Sequence, residues 1–206
     1  MVSPAAENAH QDARAAGSAG DSARAVELFM RAHELAPEWP YPPYDLAFTY
    51  LLDGQLEQAE TWYALVDKLA PRGFFTAKTS LDIIRRERRG ELTPGFAKQF
   101  ALMEWQPDDR RVVMYRQVTQ QFPNFAPAWK ELAFLLEDDQ EELAAADHGL
   151  ATNPDDETYG MLILNKALVL GRLGRAPEGL QLIRDLLADP RCTQAVEAMA
   201  KLTEIR

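Results

Sequence analysis

The sequence predicts an all-α chain built as a solenoid of antiparallel helix hairpins, and three observations carry that reading. A pattern is written twice, 34 residues apart: Ala25, Phe29, Ala32 and Pro37 recur as Ala59, Tyr63, Val66 and Pro71. A period of that length marks a supersecondary unit that cannot bury its apolar face alone and must stack on neighbours. Apolar residues also recur at spacings of three and four, as in Leu46, Ala47, Tyr50 and Leu51 and again in Trp129, Leu132, Ala133 and Leu136. Strand signals are weak throughout, and a composition of 47% apolar and 26% charged residues suffices for a packed core.

The elements follow in order. The first hairpin is expected over 5–37, broken at Gly17 to Gly20, with Asp21 placed to cap the second helix through its side-chain oxygen. The second spans 40–71: Pro43 sits near a helix start, where its missing N–H is no loss, and Asp53-Gly54 breaks the pair. Residues 72–123 are irregular. A helix from Phe74 to Arg89 stops at Gly90, Thr93-Pro94 opens the next as N-cap and first-turn proline, and Pro107 falls 36 residues after Pro71. Between Asp109 and Phe122 there is room for one helix only. Regular hairpins resume over 126–154 and 158–190, and a helix over about 193–205 is expected to cover the open apolar end. One continuous repeat domain over 1–206 is the expected organisation.

Composition excludes several function classes. A formal charge of −10 argues against nucleic-acid binding, which draws on a surplus of lysine and arginine to displace counterions. The single cysteine, Cys192, has no internal disulfide partner. No run of about 18 apolar residues reads as a membrane span, and residues 1–11 lack the basic start and apolar run of a secretory signal. These features predict a soluble, cytoplasmic protein.

Leu46, Ala47, Tyr50, Gly54, Ala59, Tyr63 and Pro71 form seven positions in register, and the combination of small, aromatic and proline residues resembles the tetratricopeptide repeat (TPR) family. Gly20, Ala25, Phe29, Ala32 and Pro37 repeat it, as do Trp129, Leu132, Ala133 and Leu136, and Ala167, Leu170, Gly174, Gly179, Ile183 and Leu186. Glu142 departs from the pattern where a small residue is expected, and Pro190 comes one place early. The resemblance implies a right-handed superhelical stack whose first helices line a concave groove that binds a peptide or partner helix.

Carried onto this sequence, the concave offsets give Tyr41, Tyr44 and Phe48 in repeat two, Phe75, Lys78, Asp82, Arg85 and Arg86 in repeat three, and Lys130 and Phe134 in repeat four. The aromatics would anchor an apolar partner residue. Lys78, Arg85 and Arg86 belong to a basic island over 72–89, of local charge +4 in an acidic chain, which would orient a partner carboxylate. Two plainer readings stand beside these. The aromatics fit packing beneath a neighbouring helix, and the charges fit the solvated stripe opposite Ala77, Leu81 and Ile84. His10 and Arg14 stand where some family members carry the lysine and asparagine that grip a C-terminal carboxylate, so binding of that type is not expected.

No catalytic, cofactor or metal site is expected. His10, His33 and His148 lie in different helices without metal-ligand spacing, and neither a phosphate loop nor a nucleophile elbow is present. Asp138, Asp139, Glu141 and Glu142 lack the glycine and spacing of a calcium loop. The sequence therefore predicts a non-enzymatic protein-interaction scaffold. A self-assembling homo-oligomer without a separate ligand is the alternative, and a hydrolase with a dispersed carboxylate pair is a third.

Overall fold

The computed structural model describes residues 2–204, with side chains to Leu202. Among the described residues there are twelve α-helices and no strand. They are α1 (Pro4–Ser18), α2 (Ser22–Leu35), α3 (Tyr41–Leu52), α4 (Leu56–Leu69), α5 (Ala77–Arg88), α6 (Phe96–Met103), α7 (Asp108–Gln121), α8 (Ala126–Leu135), α9 (Asp139–Leu150), α10 (Asp156–Arg172), α11 (Ala176–Ala188) and α12 (Gln194–Glu204). The chain divides into two compact units, 1–99 and 100–206.

Local chemistry starts these helices. Ser3, Asp21, Asp138 and Asp155 each accept a hydrogen bond from a backbone N–H two or three residues on, and prolines occupy the first turns of α1, α3, α8 and α11. The structure begins α5 at Ala77 rather than Phe74 and α6 at Phe96 rather than beside Pro94. The cap of α6 comes from another helix. The buried Glu87 carboxylate of α5 accepts from Gly95 N–H and, at 2.7 Å, from Ala97 N–H, which meets orphan donors at a helix start with a negative charge.

The hairpin plan is legible in repeated hydrogen bonds. After α1, Gly20 N–H donates to the Gly17 carbonyl and Asp21 N–H to Ala16; after α3, Gly54 and Gln55 repeat the pair to Leu51 and Tyr50. Both glycines have positive φ, a conformation that a Cβ disfavours. The same two bonds close α5 at Gly90 and α10 at Gly174, which marks all four as first helices of a hairpin. The second helices α2 and α4 end differently, and α7 ends as they do: Ala36, Ala70 and Phe122 each donate to the carbonyl four residues back in a near-identical extended conformation. By its exit, then, α7 is a second helix, and it packs on α8 as α2 packs on α3.

Within the first unit, α1 pairs with α2, α3 with α4, and α5 lies against α4. The small and aromatic repeat positions make the core: Ala25, Ala32, Ala59, Tyr63 and Val66 are fully buried and Phe29 nearly so. Ala13, Ala25, Phe29 and Leu46 form one cluster, with Tyr50 and Trp62 packed on it. In the second unit α8 pairs with α9 and α10 with α11, while α12 contacts both α10 and α11. Its Val196 and Ala200 join Ile163, Leu164, Ala167, Ile183, Leu186 and Cys192 in a buried cluster. Ile205, the last residue of the expected terminal helix, lies outside the described residues.

Glu142 is buried where the repeat pattern calls for a small residue, and the fold accommodates it with charge. Arg172 of α10 binds the Glu142 carboxylate and, at 2.6 Å, Asp139. Burial pushes the Glu142 carboxyl up, Arg172 opposes, and the balance stays above the ordinary value. A carboxyl that holds its proton more tightly folded than unfolded adds stability as pH falls from neutral through the carboxylate range. Glu142→Ala is expected to remove that gain, which urea unfolding at pH 7 and pH 5 measures as a smaller difference than in the parent.

Candidate functional site

The first unit carries an aromatic cluster assembled from two segments. Tyr41 and Tyr44 come from α3, and Phe74 and Phe75 from the turn that follows α4. Phe74 and Phe75 lie 4.7 Å apart between ring centroids. Tyr41 is 4.8 Å from Phe74 and 5.6 Å from Phe75, and Tyr44 is 5.6 Å and 5.3 Å from the same two rings. Trp39 and His10 extend the cluster at the Tyr41 side, with Trp39 4.9 Å from His10 and 5.7 Å from Tyr41. Edge-to-face contacts of this kind contribute about 0.5–1.5 kcal/mol each beyond burial.

Depth differs along the cluster. Tyr44 is half-buried, lies 5.8 Å from the buried Tyr63 ring, and shares a 2.9 Å hydrogen bond with the Thr76 hydroxyl. Tyr41 is 39% exposed and Phe75 57% exposed. Phe75 also has φ of +50°, a left-handed conformation that costs a bulky residue about 1–2 kcal/mol relative to glycine. The fold thus holds a large apolar ring in an unfavourable backbone state with more than half its surface in water.

Each predicted residue can now be placed. Tyr41, Tyr44 and Phe75 are brought together, while Phe48 is half-buried further along α3. The basic side chains are drawn into ion pairs: Lys78 Nζ lies 2.6 Å from Asp67, Arg85 3.0 Å from Glu60, and Arg86 2.6 Å from Asp82. Arg88 reaches Glu57 and Glu60 as well. Much of the basic island is stitched to the acidic face of α4, which the local sequence of α5 gave no means of seeing. In the second unit Lys130 Nζ lies 2.5 Å from Glu131, and Arg111 approaches that carboxylate at 3.6 Å. Phe134 is 66% exposed. Sequence reasoning missed Phe74 and Trp39, although the Phe74-Phe75 pair directly after a repeat-ending Pro71-Arg72-Gly73 was a readable signal.

Other charged groups have structural duties. His10 is buried with Nε2 2.8 Å from Asp45, which joins α1 to α3. Tyr115 of α7 is wholly buried, and that burial, reinforced by the charge of Glu131, pushes its hydroxyl well above the ordinary range, so it stays a neutral phenol. Among the described residues no group of three or more histidine, cysteine, aspartate or glutamate side chains is arranged to hold a metal ion, and no helix is long and apolar enough to cross a membrane.

Helix hairpins with a recurrent glycine turn after α1, α3, α5 and α10, a shared exit from α2, α4 and α7, and buried small residues between their helices define an all-α, TPR-like helical-repeat fold. No family model matches the chain, and no curated protein does. Solved structures similar to it include a thermophilic TPR protein from Thermus thermophilus, at 17% identity over 98% of this chain and 100% of that one, with a TM-score of 0.42. Another is MamA from Desulfovibrio magneticus, residues 41 to the end, at 13% identity over 90% of this chain and 94% of that one, again with a TM-score of 0.42.

Proposed function

We propose that this chain is a non-enzymatic protein-interaction scaffold that captures a peptide or partner helix on the aromatic surface of its first unit. Phe75 carries the reading. An exposed aromatic ring held at positive φ loses on both burial and backbone energy, and such strain persists where the surrounding structure is organised around a task. Tyr41 and Phe75 supply the contact surface, and Tyr44, tied to Thr76, fixes it from below. Large aromatic side chains are the residues that most often dominate binding energy at interfaces. Lys78 and Arg85 act here as braces for the α4–α5 packing, Arg86 is held by Asp82 within α5, and Phe134 with Lys130 offers a separate contact in the second unit.

A photo-crosslinking residue placed at Phe75 tests this directly. A discrete adduct with one partner from the native extract is expected, and a crosslinker at the exposed Val113 is expected to give none of it. Equal labelling from both positions, or none from position 75, would overturn the proposal.

The self-assembly reading has its own observation. On α12 the residues Ala195, Ala198, Met199 and Leu202 are exposed at helical spacing, while Val196 and Ala200 face inward. If that outer stripe joins copies, the parent is an oligomer by light scattering and Leu202→Glu reduces it to a monomer. A monomeric parent at high micromolar concentration removes that reading.

A further inference from the structure

Ser3, Asp21, Asp138 and Asp155 each stand immediately before a helix, and all four turn their side chains onto that helix's first backbone N–H groups. Thr76 holds the same place before α5 and does not: no side-chain hydrogen bond caps that helix. Its hydroxyl is engaged elsewhere, 2.9 Å from the Tyr44 hydroxyl of α3. Its backbone differs too, with ψ of 24° where the four capping residues have 147°, 74°, 118° and 165°. The residue before it is Phe75, at φ of +50°. We propose that residues 73–76 form a two-state switch, in which the Thr76 hydroxyl passes between Tyr44 and the start of α5 and the aromatic surface is assembled only while it is on Tyr44; this rests on the docking surface proposed above and names its regulation.

Opposing terms of like size make the segment bistable. The observed state forgoes a helix cap and holds Phe75 in a left-handed conformation. In return it gains the Tyr44–Thr76 hydrogen bond and places the Phe75 ring 5.6 Å from Tyr41 and 5.3 Å from Tyr44. In the other state Thr76 rotates about χ1, its Oγ accepts from a first-turn N–H of α5, and Phe75 returns to negative φ with its ring off the two tyrosines. One hydrogen bond is exchanged for another, and ring contacts for a relaxed backbone. Gly73, at φ of +89°, supplies a pivot two residues before Phe75. Buried Ala77, Leu81 and Ile84 anchor α5 in both states, which confines the change to its start. A partner that binds the assembled rings selects the Tyr44-bonded state and holds it.

The test is Tyr44→Phe in the full chain, read by hydrogen exchange at the Lys78 and Thr79 amides and by fluorine NMR of 4-fluorophenylalanine placed at position 75. Removal of the Tyr44 hydroxyl returns Thr76 to α5, so these amides are expected to exchange about fivefold more slowly than in the parent, and a second fluorine resonance is expected to fill. A hydrogen bond that only braces the fold predicts the opposite sign, faster exchange at the same amides. Thr76→Val has no hydroxyl to pass, and in that background Tyr44→Phe is expected to slow neither amide. Faster or unchanged exchange in Tyr44→Phe, or slowing that persists in the Thr76→Val background, overturns the switch. Capture by a crosslinker at position 75 would then leave the docking surface standing alone. Slower exchange without any capture at position 75 keeps the switch and removes the docking surface.

Discussion

Gly179→Ala is expected to destabilise the protein by about 3 kcal/mol, and Gly179→Val by more. Gly179 is buried near the start of α11, and a Cβ built on it would lie 2.5 Å from the Ala167 carbonyl oxygen of α10, with the carbonyl carbon at 3.3 Å and Cα at 3.4 Å. All three atoms are backbone, so no rotamer change relieves the clash and the two helices must move apart. A loss of that size should lower the melting temperature by roughly 6–12 °C in a chain of this length, measured by circular dichroism. Gly171 provides the control, since a Cβ there meets nothing within 4 Å. Gly171→Ala is expected to leave the melting temperature unchanged or raise it slightly, because alanine lowers the entropy of the unfolded helix segment.

The second large effect is expected at the repeated small position. Ala25 and Ala59 are both fully buried, each on the second helix of its hairpin. Tryptophan at either place overfills the space between helices and should reduce stability by about 1–3 kcal/mol or more. The two losses should be of similar size, since the repeat puts the two alanines in corresponding surroundings. Ala23→Trp, on the exposed face of α2, is expected to change stability by less than about 0.5 kcal/mol. A melt that separates Ala25→Trp sharply from Ala59→Trp would mean that the two hairpins do not share a register.

Fold class was legible because its causes are local and periodic. Pro37 and Pro71, Gly20 and Gly54, and Ala25 and Ala59 each repeat at 34 residues, and each answers a demand of the hairpin: a stop, a left-handed turn, a close approach. Residues 72–123 were harder, because α6 starts at Phe96 on a carboxylate contributed from α5 and not at the Thr93-Pro94 pair that reads as its start. That α5 closes as α1 and α3 do, and α7 as α2 and α4 do, lies in their terminal hydrogen bonds, which the side-chain pattern does not record.

The surface divides along similar lines. Tyr41, Tyr44 and Phe75 were found by carrying offsets from the repeat, and they do meet, with Phe74 completing the group. The basic side chains of α5 were read from that helix alone. Their pairing with Asp67 and Glu60 depends on α4, one element back, where a count of charges along the chain carries no information about which face meets which. Glu142 shows the reverse case, an acidic residue in a small-residue place that becomes intelligible once Arg172 arrives from α10.

The central claim is that the exposed ring of Phe75 is maintained at the expense of backbone stability in order to hold a partner. Phe75→Gly separates the two quantities, since glycine accepts φ of +50° without strain and offers no ring. Thermal unfolding and capture of the crosslinked partner should be measured on the same preparation. The variant is expected to melt no lower than the parent and to lose capture by about tenfold or more, the loss typical of an anchoring aromatic. A lower melting temperature with capture intact would contradict the account and make Phe75 a packing residue.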